Sequence, residues 1–411
     1  MQVSASEQGR AGGNVKALVL ATLAFAICFY GWSLLGPLGP KLQKQLDLSD
    51  FQLLVTVAIP VLLGSIMRIP LGILTDRHGG RAVFAALMAF TPIPLVGLAI
   101  FNDSWTAVLL FGFLLGFAGA CFAIGVPFVN SWYPPERQGF ALGIYGMGMG
   151  GTMISALTAP RIADSTSLKV PFLVAAAMVG LMALVFWVMA RNAPGTPSGA
   201  GGSVLAPLKV FVEPGAGRAW ALTLFYFMAF GGFVAMFLFL PKYLTGVHDL
   251  SKVDAGYRAA GFAALAVVGR PVGGWLSDRI GAARVLQISF IGTFVTALVL
   301  AGLHEEMVPL TIACLSMAVF LGFGTGAVFK LVPQWYPEKV GAVTGVVGAA
   351  GGLGGFFPPI VMGIVKSATG GYALGFVLMA AVAVLAFVVL IASARRGAGP
   401  AGDDRVAAAS P

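Results

Sequence analysis

Twelve apolar runs of membrane-crossing length dominate the chain, and no other feature narrows its fold so far. They recur at about 16–36, 53–74, 82–101, 106–130, 139–160 and 170–190, then at about 219–241, 257–276, 284–303, 308–332, 341–365 and 370–393. One spanning helix needs about 20 apolar residues. The 411 residues are 58% hydrophobic, enough for about twelve spans and little else. Only 10% are charged, against about 25% in an average soluble domain. A soluble enzyme, a nucleic-acid-binding domain and a disordered chain are excluded on these grounds. The expected fold class is an all-α membrane protein whose solvent is the lipid bilayer.

The runs divide into two sets of six. A short polar tail, 1–15, precedes the first half, 16–190. A linker, 191–218, contains Ala193-Pro-Gly-Thr-Pro-Ser-Gly-Ala-Gly-Gly, a flexible composition. The second half is 219–393, and a polar tail, 394–411, follows. The N-terminal tail lacks a short apolar stretch with a cleavage site, so no removable signal peptide is expected. The net charge of +9 reads as loop topology rather than a nucleic-acid partner. With the N-terminus inside, the cytoplasmic segments hold 14 Lys and Arg, Arg10, Arg396 and Arg405 among them, and the outer segments hold 8. Both termini are therefore expected in the cytoplasm, in a multi-pass protein of the cell (inner) membrane. Cys28, Cys121 and Cys314 lie in separate apolar stretches, and His78, His248 and His304 are scattered near loops. No disulfide framework, metal site or cofactor is expected from them.

The halves repeat. Arg68-Ile-Pro-Leu-Gly-Ile-Leu-Thr-Asp76-Arg77-His-Gly aligns with Arg270-Pro-Val-Gly-Gly-Trp-Leu-Ser-Asp278-Arg279-Ile-Gly at an offset of 202. Trp132-Tyr-Pro-Pro-Glu-Arg137 aligns with Trp335-Tyr-Pro-Glu-Lys339 after one deletion, and Gly139, Gly143 and Gly146 then match Gly341, Gly345 and Gly348. A parallel repeat of six spans with a site at the midplane between halves is transporter architecture.

Three of the 25 basic residues belong to no loop: Arg68, Arg270 and Lys330. Each arginine lies eight residues before its loop aspartate, about 12 Å along a helix, which puts it near the centre of a bilayer with a half-thickness of about 15 Å. An arginine there costs about 2.5–3.5 kcal/mol by insertion scales. All 16 acidic residues fall in loops, tails or helix ends, so neither arginine has an internal counter-ion in prospect. Arginine does not deprotonate, and its planar fork matches a planar oxyanion. A substrate anion between the two is the reading we favour over structural arginines that snorkel to an interface.

Glycines crowd the fifth span (Gly139, Gly143, Gly146, Gly148, Gly150, Gly151) and the eleventh (Gly341, Gly345, Gly348, Gly351, Gly352, Gly354, Gly355). Packing alone explains such faces, and sliding against the arginine helices is the functional alternative. Tyr226 and Phe230 lie one turn apart on the seventh span, and Phe122 lies in the fourth. Such rings are usually core, but they could sandwich a flat anion. Lys330 ends the tenth span and reads first as an interfacial lysine reaching toward the cytoplasm, second as a positive entry vestibule.

These segments resemble the major facilitator superfamily. Gly72-x-x-x-Asp76-Arg77-x-Gly-Gly-Arg81 is similar to its loop motif between spans 2 and 3, with Gly274-x-x-x-Asp278-Arg279-x-Gly281 as a looser copy. More narrowly, Gly64-Ser-Ile-Met-Arg68-Ile-Pro, Ala266-Val-Val-Gly-Arg270-Pro, the glycine-rich fifth span and Gly341-Ala-Val-Thr-Gly-Val-Val-Gly-Ala-Ala-Gly-Gly-Leu-Gly-Gly-Phe-Phe-Pro-Pro resemble the nitrate/nitrite porter (NarK-like) family over about 16–393. The resemblance implies the major-facilitator fold, with 12 transmembrane helices in two pseudo-symmetric six-helix halves. It implies alternating-access transport of nitrate or nitrite, with a role in nitrate assimilation and no enzyme activity. Arg68 and Arg270 match the family's substrate-clamping arginines, and Tyr226, Phe230 and, more loosely, Phe122 match its substrate-adjacent rings. Gly143, Gly146, Gly150, Gly345, Gly348 and Gly352 fall in its nitrate signatures. Asp76 and Arg77, with Asp278 and Arg279, match the superfamily's cytoplasmic gate. Some members carry signature asparagines where this chain has Tyr145 and Gly150, and Asn130 is the residue available to compensate.

The pattern leaves nitrate/nitrite exchange and proton symport both open, overall resemblance leaning to uptake with protons as the coupling ion. A monomer suffices, since one chain holds both arginines. The rivals are a carrier of another small anion (cyanate or a small carboxylate) and a drug/proton antiporter, which usually needs an intramembrane carboxylate.

Overall fold

A computed structural model describes residues 13–195, 206–213 and 215–395. The expected tail residues 1–12, linker residues 196–205 and 214, and the tail from 396, with Arg10, Arg396 and Arg405, lie outside the described residues. Every regular element among the described residues is helical. Twelve rods cross in antiparallel succession: α1 (Val15–Leu46), α2 (Asp50–His78), α3 (Gly80–Ile100), α4 (Trp105–Asn130), α5 (Pro135–Ser165), α6 (Lys169–Met189), α7 (Gly217–Val247), α8 (Lys252–Ile280), α9 (Ala282–Leu303), α10 (Met307–Trp335), α11 (Val340–Thr369) and α12 (Ala373–Arg395). Eleven are long and apolar enough over their described residues to cross a membrane, and in α11 the apolar stretch Val340–Gly354 is shorter than that. Crossing an even number of times returns the chain to the face where it started. That face is called the terminal face below.

The sequence repeat is carried through to backbone geometry. The side chains of Ser49 and Ser251 both cap a helix start, accepting from Gln52 N–H and Asp254 N–H, which satisfies donors that the first turn leaves unpaired. Both helices end at a glycine with positive φ, Gly79 at 78° and Gly281 at 89°, a conformation that costs other residues a Cβ clash. α2 and α8 are therefore 29-residue copies of one element at the same offset as the motif. Each lies against the other half: α2 on α11, α8 on α5.

Several rods are not continuous. α4 breaks at Ala120, between Trp105–Gly119 and Cys121–Asn130. α5 passes through a 3-10 turn at Met147–Gly150. α7 widens into a π turn at Phe227–Gly231. π turns gather at functional sites because they re-aim side chains within an otherwise regular helix. All three irregularities sit at the level of Arg68 and Arg270.

Candidate functional site

Arg68 on α2 and Arg270 on α8 are 5% and 4% exposed, too deep to reach an interface by snorkelling. Each lies across the bare backbone of a glycine in the opposite half. Arg68 Nη1 donates to the Gly348 carbonyl on α11, and Arg270 Nη1 donates to the Gly146 carbonyl on α5 at 3.0 Å. A Cβ on Gly348 would stand 3.2 Å from Arg68 Cδ, and one on Gly146 would stand 3.1 Å from Arg270 Nη1. One turn away, a Cβ on Gly345 or Gly143 would strike the arginine's own backbone, 2.5 Å from Arg68 O or 2.6 Å from Arg270 O. Absent side chains at these four positions let the helices touch and let each arginine reach across the seam.

The backbone partners of both guanidiniums are carbonyl oxygens, and the Tyr226 hydroxyl is a further neutral neighbour of Arg270. These satisfy donors without cancelling charge, and among the described residues neither arginine takes part in an ion pair. The two cations lie within each other's electrostatic reach. Arg270 Nη2 is buried with no hydrogen-bond partner, a state that in a closed interior costs about 1–3 kcal/mol or more for a charged group. Arg68 is better held, because Nε donates to the Gly119 carbonyl at 3.3 Å.

Rings complete the layer. Tyr226 and Phe230 stack at 5.0 Å with planes 2° apart, and Phe122, from the other half, lies parallel to Tyr226 at 6.3 Å and 5°. Arg270 sits 5.3 Å over Phe230, a cation–π arrangement, and Tyr226 lies beside Arg270. Phe329 on α10, which sequence reasoning missed, meets Phe122 and Tyr226 edge-on at 4.7 and 4.6 Å. Its signal was legible, since Ala120-Cys-Phe122 recurs as Ala327-Val-Phe329.

A family model described as Major Facilitator Superfamily matches residues 21–329 and 248–409. The "Probable nitrate/nitrite transporter NarK2" of Mycobacterium tuberculosis is 42% identical over 91% of this chain and 95% of its own. The "Nitrite extrusion protein" of Bacillus subtilis is 36% identical over 91% and 93%, and the "Probable nitrate transporter NarT" of Staphylococcus epidermidis 37% identical over 92% and 96%. This chain belongs to the nitrate/nitrite porter family of the major facilitator superfamily. In fold, this porter is similar to the human organic anion transporter MFSD10 (TM-score 0.77, 17% identity, 91% of this chain and 99% of the other). It is also similar to the proton:xylose symporter XylE (TM-score 0.75, 13% identity, 92% and 95%).

At the terminal face, the porter joins its halves through two carboxylates. Asp76 accepts from Gly341 N–H and Ala342 N–H at 2.8 and 2.9 Å, at the start of α11. Asp278 accepts from Gly139 N–H and Phe140 N–H at 2.9 and 2.8 Å, at the start of α5's main helix. A helix N-terminus carries unpaired donors and a positive dipole, so an aspartate there is doubly favoured. Arg279 folds back onto Trp275 at 4.3 Å rather than onto the opposite half, and Arg77 is part of the same helix end as Asp76.

Three expectations need correction. Lys330 does not snorkel. It is 3% exposed, pairs with Asp278 at 2.6 Å and donates to the Pro135 carbonyl of the other half. The carboxylate that holds it was already committed to α5, so burial with two partners replaces water. Asn130 does not replace the missing signature asparagines, because it ends α4 eight residues beyond Phe122, with its backbone carbonyl facing Gln138, about 12 Å along the helix from the ring. Gly150 is not a packing glycine, since a Cβ there would meet nothing within 4 Å. Gly352 packs on Ser65, 2.7 Å from a notional Cβ to Oγ.

Proposed function

We propose that this porter carries nitrate or nitrite across the cytoplasmic membrane by alternating access, the anion held between Arg68 and Arg270. The observation that carries the reading is the buried Nη2 of Arg270, without a hydrogen bond, within a pair of cations that no carboxylate among the described residues neutralises. A planar oxyanion supplies both missing things, charge and acceptor oxygens. The parallel rings of Phe230, Tyr226 and Phe122 suit a flat ion. The relatives' names point to the same substrates.

The terminal face is the cytoplasmic one, by the excess of Lys and Arg on that side, and a single chain forms the working unit. Asp76 and Asp278 with their helix starts form the cytoplasmic latch. Without an anion, the arginines repel each other and resist further closure around the site. A bound anion bridges them, and the loaded carrier closes. This electrostatic logic favours exchange of nitrate for nitrite over proton symport, since the described residues place no carboxylate at the arginine layer.

The test is labelled-nitrate uptake by proteoliposomes, with and without internal nitrite and with and without an inward proton gradient. Arg68→Lys and Arg270→Lys keep the charge and lose the fork. A charged hydrogen bond contributes about 1.5–3 kcal/mol, so each change is expected to weaken uptake at least about tenfold at low nitrate. Full-rate uptake by the double variant would sink the clamp. Uptake of cyanate or a small carboxylate in place of nitrate would move the other-anion reading to the front. Acceleration by the proton gradient alone would establish symport.

A further inference from the structure

The two halves do not hold their arginines alike. Arg270 has one carbonyl partner, the Tyr226 hydroxyl beside it and an Nη2 without a hydrogen bond, whereas Arg68 has two carbonyl partners, Gly348 O and Gly119 O. The second exists because α4 breaks. In an unbroken helix the carbonyl of residue 119 accepts from the N–H of residue 123. Here Ala123 N–H turns to the Ala120 carbonyl at 3.0 Å, and Gly119 O is left for Arg68. The equivalent stretch of α10 is continuous helix through Phe329 and offers nothing comparable to Arg270.

Something must hold the break, because a regular helix would recover the Gly119 bond. Tyr145 on α5 is fully buried and donates its hydroxyl to the Cys121 carbonyl at 3.0 Å, two residues past Gly119. Its ring lies between Phe25 at 5.0 Å and Phe122 at 5.8 Å, so it also backs a ring of the site. The space for the hydroxyl comes from Gly125, where a Cβ would collide with the Tyr145 ring, 2.6 Å from Cε2. We infer that Tyr145 is a positioning residue: it fixes the α4 break that presents the Gly119 carbonyl to Arg68, so that Arg68 is the rigid arm of the clamp and Arg270 the adaptable one.

The inference rests on the nitrate reading above. The test measures nitrate binding and saturated turnover in reconstituted protein. Tyr145→Phe removes one oxygen and keeps the stack. A single neutral hydrogen bond that acts on ligand geometry predicts a roughly three- to tenfold rise in the nitrate Kd and KM, with saturated turnover within about twofold of wild type. Gly125→Ala, which expels the hydroxyl while leaving Tyr145 present, is expected to match it, and the double variant is expected to be no worse than the poorer single one. Unchanged affinity in Tyr145→Phe, a fall in turnover at unchanged affinity, or additive losses in the double variant would overturn the inference. If Gly125→Ala does not elute as a monodisperse protein, the affinity-against-turnover split of Tyr145→Phe decides alone. A wild-type protein with no response to nitrate or nitrite overturns the substrate reading and this inference with it, whereas a responsive wild type whose nitrate affinity is unchanged in Tyr145→Phe overturns the inference alone.

Discussion

A buried guanidinium must be held by something, and here each is held by a glycine carbonyl of the opposite half. Gly146 and Gly348 matter for the side chain they lack, since a methyl at 3.1–3.2 Å from the arginine would press it off the carbonyl. Gly146→Ala is therefore expected to weaken nitrate affinity several-fold while the protein still folds, because a long side chain can yield. Gly143→Ala meets backbone at 2.6 Å, which cannot yield, and overpacking of this kind costs about 1–3 kcal/mol. It is expected to lower the melting temperature in detergent as well as uptake, and equal melting temperatures for the two variants would refute the distinction. A second residue-scale prediction concerns His304, at the loop between α9 and α10. Its ring bonds Tyr243 Oη at 2.8 Å, and burial holds its pKa below the ordinary 6.5, against Glu305, which raises it, and with His248, which lowers it further. A depressed histidine pKa means that the unfolded chain takes up the proton first, so stability is full above about pH 6.5 and falls as pH drops below it. Thermal unfolding from pH 7.5 to 5.5 is expected to show this loss, and His304→Gln is expected to flatten it.

At the scale of elements, α2 and α8 are near copies, yet their latches are unequal. Both aspartates cap a helix of the other half, but among the described residues only Asp278 also holds a buried lysine. The asymmetry traces to one position, for where α10 has Lys330 the matching stretch of α4 has Ala123. Asp76→Asn gives up a favourable charge at a helix N-terminus, about 0.3–1 kcal/mol. Asp278→Asn also strands a buried ammonium, and breaking such a pair costs about 3–5 kcal/mol. Melting of the two variants in detergent is expected to differ in that order, and Asp278→Asn with Lys330→Met is expected to recover most of the difference. Equal melting of the two single variants would refute the unequal latch. Sequence reading found both aspartates from the repeat. It placed Lys330 at an interface, because helix depth says nothing about which neighbour stands opposite a side chain.

For the molecule as a whole, the described inter-half hydrogen bonds cluster at the arginines and on the terminal side of them. The halves are thus hydrogen-bonded at the terminal face and at the arginine layer. Spin labels at Glu136 and Glu338 on the terminal face, and at Ser167 and Asp249 on the opposite face, stand at exposed positions of different halves. Saturating nitrate is expected to shorten the second distance and to shift part of the population to a longer first distance. In Arg68→Gln with Arg270→Gln, nitrate is expected to change neither, and a nitrate response in that variant would refute the bridging role of the anion.

The sequence by itself determined the twelve helices, the two-fold repeat, the matching helix positions of Arg68 and Arg270 and the glycine spacing, because hydrophobic length, charge placement and helical period are local properties of the chain. It also carried the resemblance that named the family. Only the tertiary structure decided what each of those residues meets. It set Gly348 under Arg68 and Gly146 under Arg270, turned Lys330 inward to Asp278, left Gly150 facing open space and broke α4 so that the two arginines are held differently. The reason is physical: a one-dimensional pattern fixes which face of a helix is small, apolar or charged, but a contact across two halves depends on the relative register and rotation of helices far apart in the chain.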